Sequence, residues 1–245
     1  MVPRLRAPAA LLALAASVML ARADDGLSDV EAVSHWSYYN NMGWKAFAEG
    51  NLDVAEFRFS RAVQVVRPYG KEHPGLLARS YHDLTRVLCA QKRFKEAEPL
   101  ARWVVEAREH DPRTRDDALF DAVYLLAVIE RQLGRDAEAV PILLKAVAIE
   151  ERNLGPSSPQ LALTIKELAD AEAMSGSYPE AEGHYARAVG IHEKADAETA
   201  DLAEALEGRA AILATLGRED EARAAAERAA GVRERLARGV KPAAR

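Results

Sequence analysis

The chain has 245 residues, 49% of them hydrophobic and 29% charged, which excludes disorder over most of its length and allows a large core or several stacked repeats. The formal charge is −5; the first 23 residues contribute +3 through Arg4, Arg6 and Arg22, so the remainder carries −8 and has no electrostatic reason to seek nucleic acid or anionic lipid. Aromatics at only 6% favour close helix packing over a β-sandwich, and a single cysteine, Cys89, excludes an intramolecular disulfide.

In chain order, the first element predicted is a targeting segment. Arg4 and Arg6 make a positive start, Ala9 to Leu20 is apolar, and Ala21-Arg22-Ala23 is an A-x-A cleavage signal. Residues 1–23 are therefore expected to be a signal peptide cleaved after Ala23, which implies a periplasmic or secreted protein with no membrane span once the signal is removed. The alternative is an uncleaved amphipathic or anchoring helix. After a short lead over 24–28, Ser28-Asp29-Val30-Glu31 forms a capping box that starts the first helix near residue 29 and carries it to about Ala48. Helix-pair units follow at about 29–70, 76–112, 117–155, 159–195 and 199–238, with links at 68–75, 110–117, 155–160 and 195–199. The first three links contain proline, which keeps the residue before it out of a helix. The fifth unit, rich in alanine and charge, reads as a wettable terminal cap. Residues 239–245 are expected to be a flexible basic tail.

The units are defined by columns. Ala55, Ala97, Ala139, Ala181 and Ala222 are spaced 42, 42, 42 and 41. Five residues before each stand Gly50, Lys92, Gly134, Gly176 and Gly217; seven after each stand Ala62, Val104, Ala146, Ala188 and Ala229. Twelve before each come Gly43, Thr85, Ala127, Ala169 and Ala210, preceded by Met42, Leu84, Leu126, Leu168 and the departing Arg209. Compact side chains at a fixed interval let paired helices cross closely, and the glycine column predicts a left-handed turn that Lys92 must bear with strain or avoid. The expected fold is all-α: a right-handed α-solenoid of about five helix-turn-helix repeats with a 42-residue period, forming one domain over 29–238.

These columns resemble the tetratricopeptide repeat. The long unit, with Arg93-Phe94-Lys95-Glu96-Ala97-Glu98-Pro99-Leu100, Tyr69-Gly70-Lys71-Glu72-His73-Pro74 and Leu154-Gly155-Pro156-Ser157-Ser158-Pro159, resembles the kinesin-light-chain variety over about residues 33–238. The resemblance implies a structural role for His73 and a binding scaffold, not an enzyme. In that variety an Asn before the leucine column contacts ligand. Here the column holds Asn41, Asp83, Leu125, Glu167 and Gly208, so only the first matches.

No H-E-x-x-H, G-x-S-x-G, P-loop or C-x-x-C pattern is present. His184 and His192 are eight residues apart, too far for one metal. Cys89 reads as a small buried or half-buried side chain, and His82, two turns back, is too distant to activate it. The pairs Asp116-Asp117 and Glu150-Glu151 read as solvated or capping residues. No catalytic residue, metal ligand or cofactor is therefore expected. Residues flanking the small column on the first helix of each repeat project toward a concave face: Asn40, Asn41, Trp44, His82, Asp83, Arg86, Tyr124, Arg131, Lys166 and Asp170. This mix of amide, aromatic and charged groups suits a protein partner or an extended peptide. Two other readings stay open: a self-associating structural envelope component, and a hydrolase or metal protein with an unrecognised site.

Overall fold

A computed structural model of the chain describes residues 27–195 and 198–238. The expected signal peptide and basic tail lie outside these residues, as does most of the short lead. Among the described residues are ten α-helices, in two compact units. The first unit ends at Leu133 and holds α1 (Asp29–Ala48), α2 (Leu52–Val66), a 3₁₀ turn (Arg67–Tyr69), α3 (Pro74–Ala90), α4 (Phe94–His110) and α5 (Asp116–Gln132). The second holds α6 (Asp136–Leu154), α7 (Pro159–Ser175), α8 (Tyr178–Lys194), α9 (Ala200–Thr215) and α10 (Glu219–Ala237). Within each unit every helix packs on the next in sequence, and α3 also touches α5 as α7 touches α9. This sequential packing of helix pairs is the all-α solenoid architecture that the columns predict.

The capping box forms as expected: the Glu31 amide donates to Ser28 Oγ (3.3 Å) and the Ser28 amide to Glu31 Oε2 (2.8 Å). Pro159 opens α7 where the fourth unit is expected to begin, whereas Pro74, expected in the link, is the first residue of α3, two residues ahead of the expected start at 76. There the missing N–H costs nothing and the ring pre-sets φ for a helix. The first link contains the 3₁₀ turn, and it ties the chain start down: Tyr69 donates its hydroxyl to the Leu27 carbonyl, and His73 Nε2 lies 2.7 Å from Asp29 Oδ1.

The columns are buried where close crossings need them. Ala55, Ala97, Ala139 and Ala181 have no exposed surface, nor have Ala62, Ala146 and Ala188. Two glycines mark still closer approaches. A Cβ on Gly43 would lie 2.7 Å from the ring of Phe59, and one on Gly208 would lie 2.5 Å from the ring of Tyr185. Each aromatic sits four residues after the alanine of its repeat, and each is seated against a backbone without a side chain. Arg209, the misfit of the leucine column, is answered by Glu182 of α8 at 2.8 Å.

The turn column explains itself in hydrogen bonds. Gly50, Gly176 and Gly217 have φ of +76°, +87° and +75°. The amide one residue later reaches back to close the helix: Asn51 to the Ala46 carbonyl (2.9 Å), Ser177 to Glu172 (2.8 Å), Arg218 to Leu213 (2.9 Å). Lys92 adopts the same conformation, φ +61°, and Arg93 donates to the Leu88 carbonyl at 2.8 Å. It is the one non-glycine residue with positive φ among the described residues, so the second turn keeps the shared geometry and bears the strain. An L-residue pays roughly 1–2 kcal/mol there, partly offset by the larger entropy glycine loses on folding. Lys92→Gly is therefore expected to stabilise the protein by about 1 kcal/mol, read as a higher urea midpoint with unchanged slope. A lower midpoint would contradict the strain.

Candidate peptide-binding groove

In the first unit, α1 and α3 meet through a ladder of polar and aromatic side chains. Trp36, Asn40 and Trp44 recur every four residues, which puts them on one face of α1. Trp36 Nε1 donates to Ser80 Oγ (2.7 Å), Asn40 Nδ2 to Asp83 Oδ2 (2.7 Å) and Trp44 Nε1 to the same Asp83 oxygen (3.2 Å). Arg79 lies over the Trp36 ring at 5.8 Å and Arg86 over the Trp44 ring at 4.7 Å. Asp83 is 3% exposed; its burial pushes the carboxyl pKa above the usual range, against the hydrogen bonds from Asn40 and Trp44 and the charges of Arg79 and Arg86. The nearest Arg79 nitrogen is 3.9 Å from Asp83, at the outer limit of an ion pair.

Above the ladder opens a groove of ≈ 640 Å³, walled by α3, the end of α4, the link over 111–115 and the start of α5. Trp44, Arg79, His82, Asp83, Arg86 and Arg108 line it, with Asp121 across from them. His82 is buried, and its pKa is driven down to about 3, first by burial and then by Arg108 and Arg86, so its imidazole is neutral near pH 7. Arg108 is half-buried and donates to the Ala118 carbonyl; burial works against its charge, and Asp121 and Asp83 support it. The link arginines are already satisfied. Arg113 pairs with Asp111 (2.9 Å), and Arg115 with Asp117. Arg86 and Arg108, by contrast, form no ion pair among the described residues.

Of the residues singled out in the sequence, Asn40, Trp44, His82, Asp83 and Arg86 are brought together here. Asn40 is 2% exposed and spends its amide on Asp83, so it braces the ladder and does not face a ligand. Asn41 is exposed on α1 and does not line the groove. Tyr124 and Arg131, both half-buried on α5, are not part of it either; Tyr124 stacks on Phe120 with ring centres 5.6 Å apart. Lys166 and Asp170 belong to the second unit and pair with each other (3.1 Å), while Tyr185 donates its hydroxyl to Asp170. Burial opposes the Lys166 charge, but Asp170, Glu167 and Glu204 together outweigh it and hold the ammonium above its ordinary pKa.

Arg79 and Arg108 are missing from the sequence reading. Arg79 stands seven residues before Arg86, and that spacing was a usable signal. Arg108 comes from the second helix of its repeat and escapes any search limited to first helices. One other expectation needs adjusting. Glu150 is not solvated: it is 7% exposed, accepts a hydrogen bond from Thr164 at 2.5 Å, and has its pKa raised by burial. Its neighbour Glu151 is the half-exposed member and pairs with Arg187 at 2.7 Å. Cys89 is half-buried, and burial pushes its thiol up to about 11, which leaves it protonated and a poor nucleophile near neutrality. Among the described residues no group of three or more His, Cys, Asp or Glu side chains is arranged to hold a metal ion, and no helix is long and apolar enough to cross a membrane.

Comparison with known proteins agrees with this architecture. Tetratricopeptide-repeat family models match residues 77–110 and 120–194. Comparison with curated proteins gave no match. Among solved structures, the chain is similar to a putative kinesin light chain with nearly identical TPR-like repeats from Podosopora anserina, at 21% identity over 84% of this chain and 97% of that one, TM-score 0.70. It is also similar to MamA from Desulfovibrio magneticus, at 16% identity over 88% and 99% of the two chains, TM-score 0.63. A third is YrrB, described as a TPR protein with an unusual peptide-binding site, at 16% identity over 93% of each chain, TM-score 0.60. With family models on its second, third and fourth helix pairs and the same stacking of pairs as kinesin-light-chain-like structures, the chain is a tetratricopeptide-repeat protein.

Proposed function

We propose that this protein is an exported repeat scaffold that binds an extended acidic segment of a partner protein in the α3–α5 groove. The observation that carries this reading is the set of three arginines lining one groove, Arg79, Arg86 and Arg108, of which two form no ion pair among the described residues and the third only one at 3.9 Å. A guanidinium beside a low-dielectric wall gains most from a carboxylate that arrives with its binding partner, because charge-assisted bidentate bonds are stronger than neutral ones. The nearby carboxylates do not remove this demand. Asp111 and Asp117 are held by Arg113 and Arg115, and Asp83, 3% exposed, is engaged by Asn40 and Trp44. Asp121 and Glu72, which also line the groove, compete; burial raises the Asp121 pKa, and Arg108 and Arg86 draw it back.

The second part of the reading, export, rests on residues 1–23: a short positive start, an apolar stretch and Ala21-Arg22-Ala23. The neutral Cys89 thiol and the lack of any other cysteine are compatible with an oxidising compartment.

The binding reading predicts that a fluorescein-labelled glutamate-rich peptide binds the full chain, and that a lysine-rich peptide of the same length does not. Arg86→Ala should weaken glutamate-peptide binding about tenfold, the size expected for one lost hydrogen bond to a charged group. Fluorescence anisotropy at two salt concentrations reads both effects. Equal binding of the two peptides, or an unchanged affinity in Arg86→Ala, would exclude this groove as an acidic-segment site.

A further inference from the structure

Arg79 and Arg86 stand seven residues apart on α3. Seven residues make two helical turns, so their Cα atoms are separated by about 10 Å along the axis. Both guanidiniums are backed by an indole, Arg79 by Trp36 and Arg86 by Trp44. Both indoles are themselves held by α3, through Ser80 and Asp83. The ring face restricts each guanidinium plane and leaves its edge donors for an incoming carboxylate. The two cationic positions thus form a ruler whose length is set by one rigid helix.

An acidic segment fits this ruler only in certain registers. A fully extended strand turns successive side chains to opposite faces; its same-face carboxylates, two or four residues apart, span about 7 or 13 Å. A polyproline-II chain has three residues per turn and rises about 3.1 Å per residue, so carboxylates three apart share a face about 9 Å from each other. Such a chain is also pre-extended and loses little entropy on binding. We infer that the groove reads a polyproline-II segment carrying two carboxylates three residues apart, one for Arg79 and one for Arg86. This inference rests on the acidic-segment reading above and adds its register and conformation.

The test uses the full chain and a set of labelled peptides of equal length and composition. Two glutamates are placed two, three, four or seven residues apart in a proline-rich frame, and a single-glutamate peptide serves as reference. The expected result is that the three-residue spacing binds at least fivefold more tightly than the two- or four-residue spacing. Arg79→Ala, a change at a mostly exposed side chain, should reduce the three-spaced peptide to the affinity of the single-glutamate reference and erase the spacing preference. Equal affinities across the set would overturn the register while leaving acidic-segment binding standing. A preference for any spacing other than three would likewise overturn the register. Failure of every glutamate peptide to bind would remove both readings together.

Discussion

Replacing Asp83 by alanine is expected to cost about 3 kcal/mol of stability, much more than replacing it by asparagine. The carboxylate is the shared acceptor for two donors on the neighbouring repeat, Asn40 Nδ2 and Trp44 Nε1, and the asparagine is 2% exposed. Alanine leaves the buried Asn40 amide and the half-buried Trp44 indole without this acceptor, and each unsatisfied buried group costs roughly 1–3 kcal/mol. Asparagine keeps an oxygen at the same place. It also relieves the burial of a charge, the leading cause of the raised Asp83 pKa, although it gives up the charge-assisted strength of both bonds. Urea unfolding of the two variants beside the parent chain reads the difference. If Asp83→Ala and Asp83→Asn lost the same small amount, the ladder would not be what joins α1 to α3.

Acid is expected to weaken the fold through His82, and the direction follows from its burial. The folded protein holds this imidazole neutral down to about pH 3, whereas an unfolded histidine takes up a proton near its ordinary value of 6.5. Between these values the unfolded state binds more protons, so stability is full above about pH 6.5 and is lost as the pH falls toward 3. At pH 4.5 the loss amounts to about 2–3 kcal/mol, at about 1.4 kcal/mol per pH unit. Asp83 works the other way, since its raised folded pKa relieves a buried charge as the carboxyl protonates. His82→Gln, which cannot take up a proton, isolates the histidine contribution. Its urea midpoint should fall less than that of the parent between pH 7 and pH 4.5; parallel curves for the two proteins would rule out His82 as a source of acid sensitivity.

Much of the architecture was legible in the sequence because its cause is steric and periodic. Alanines at intervals of 42, 42, 42 and 41 reach zero exposure in four of five repeats, and the glycine column marks the left-handed turns. Lys92 shows how far a column can be trusted: the turn keeps its geometry even where the residue type opposes it. The helix start at Pro74 was misplaced by two residues because the same residue can end a link or open a helix, and only the conformation of the residue before it decides. The groove was only partly legible. Trp44, His82, Asp83 and Arg86 could be found because they share the first helices with the small column. Whether such a residue faces outward or braces a neighbour depends on what the next helix brings. Asn40 turned inward because Asp83 is opposite it. Arg108 joined the groove from a second helix, and no spacing within one helix could reveal that.

The two aromatic rings seated on glycine carry different consequences for the ancestry of the array. Phe59 and Gly43 lie in one repeat, so a duplication or transfer of that repeat moves ring and seat as one cassette. Tyr185 lies in the fourth repeat and Gly208 in the fifth, so that fit straddles a junction. Recombination at this border would install a successor whose side chain collides with the tyrosine, unless it too carried glycine at the same place. The last two repeats are thereby coupled sterically across their border, which is also the one 41-residue interval in a series otherwise set at 42.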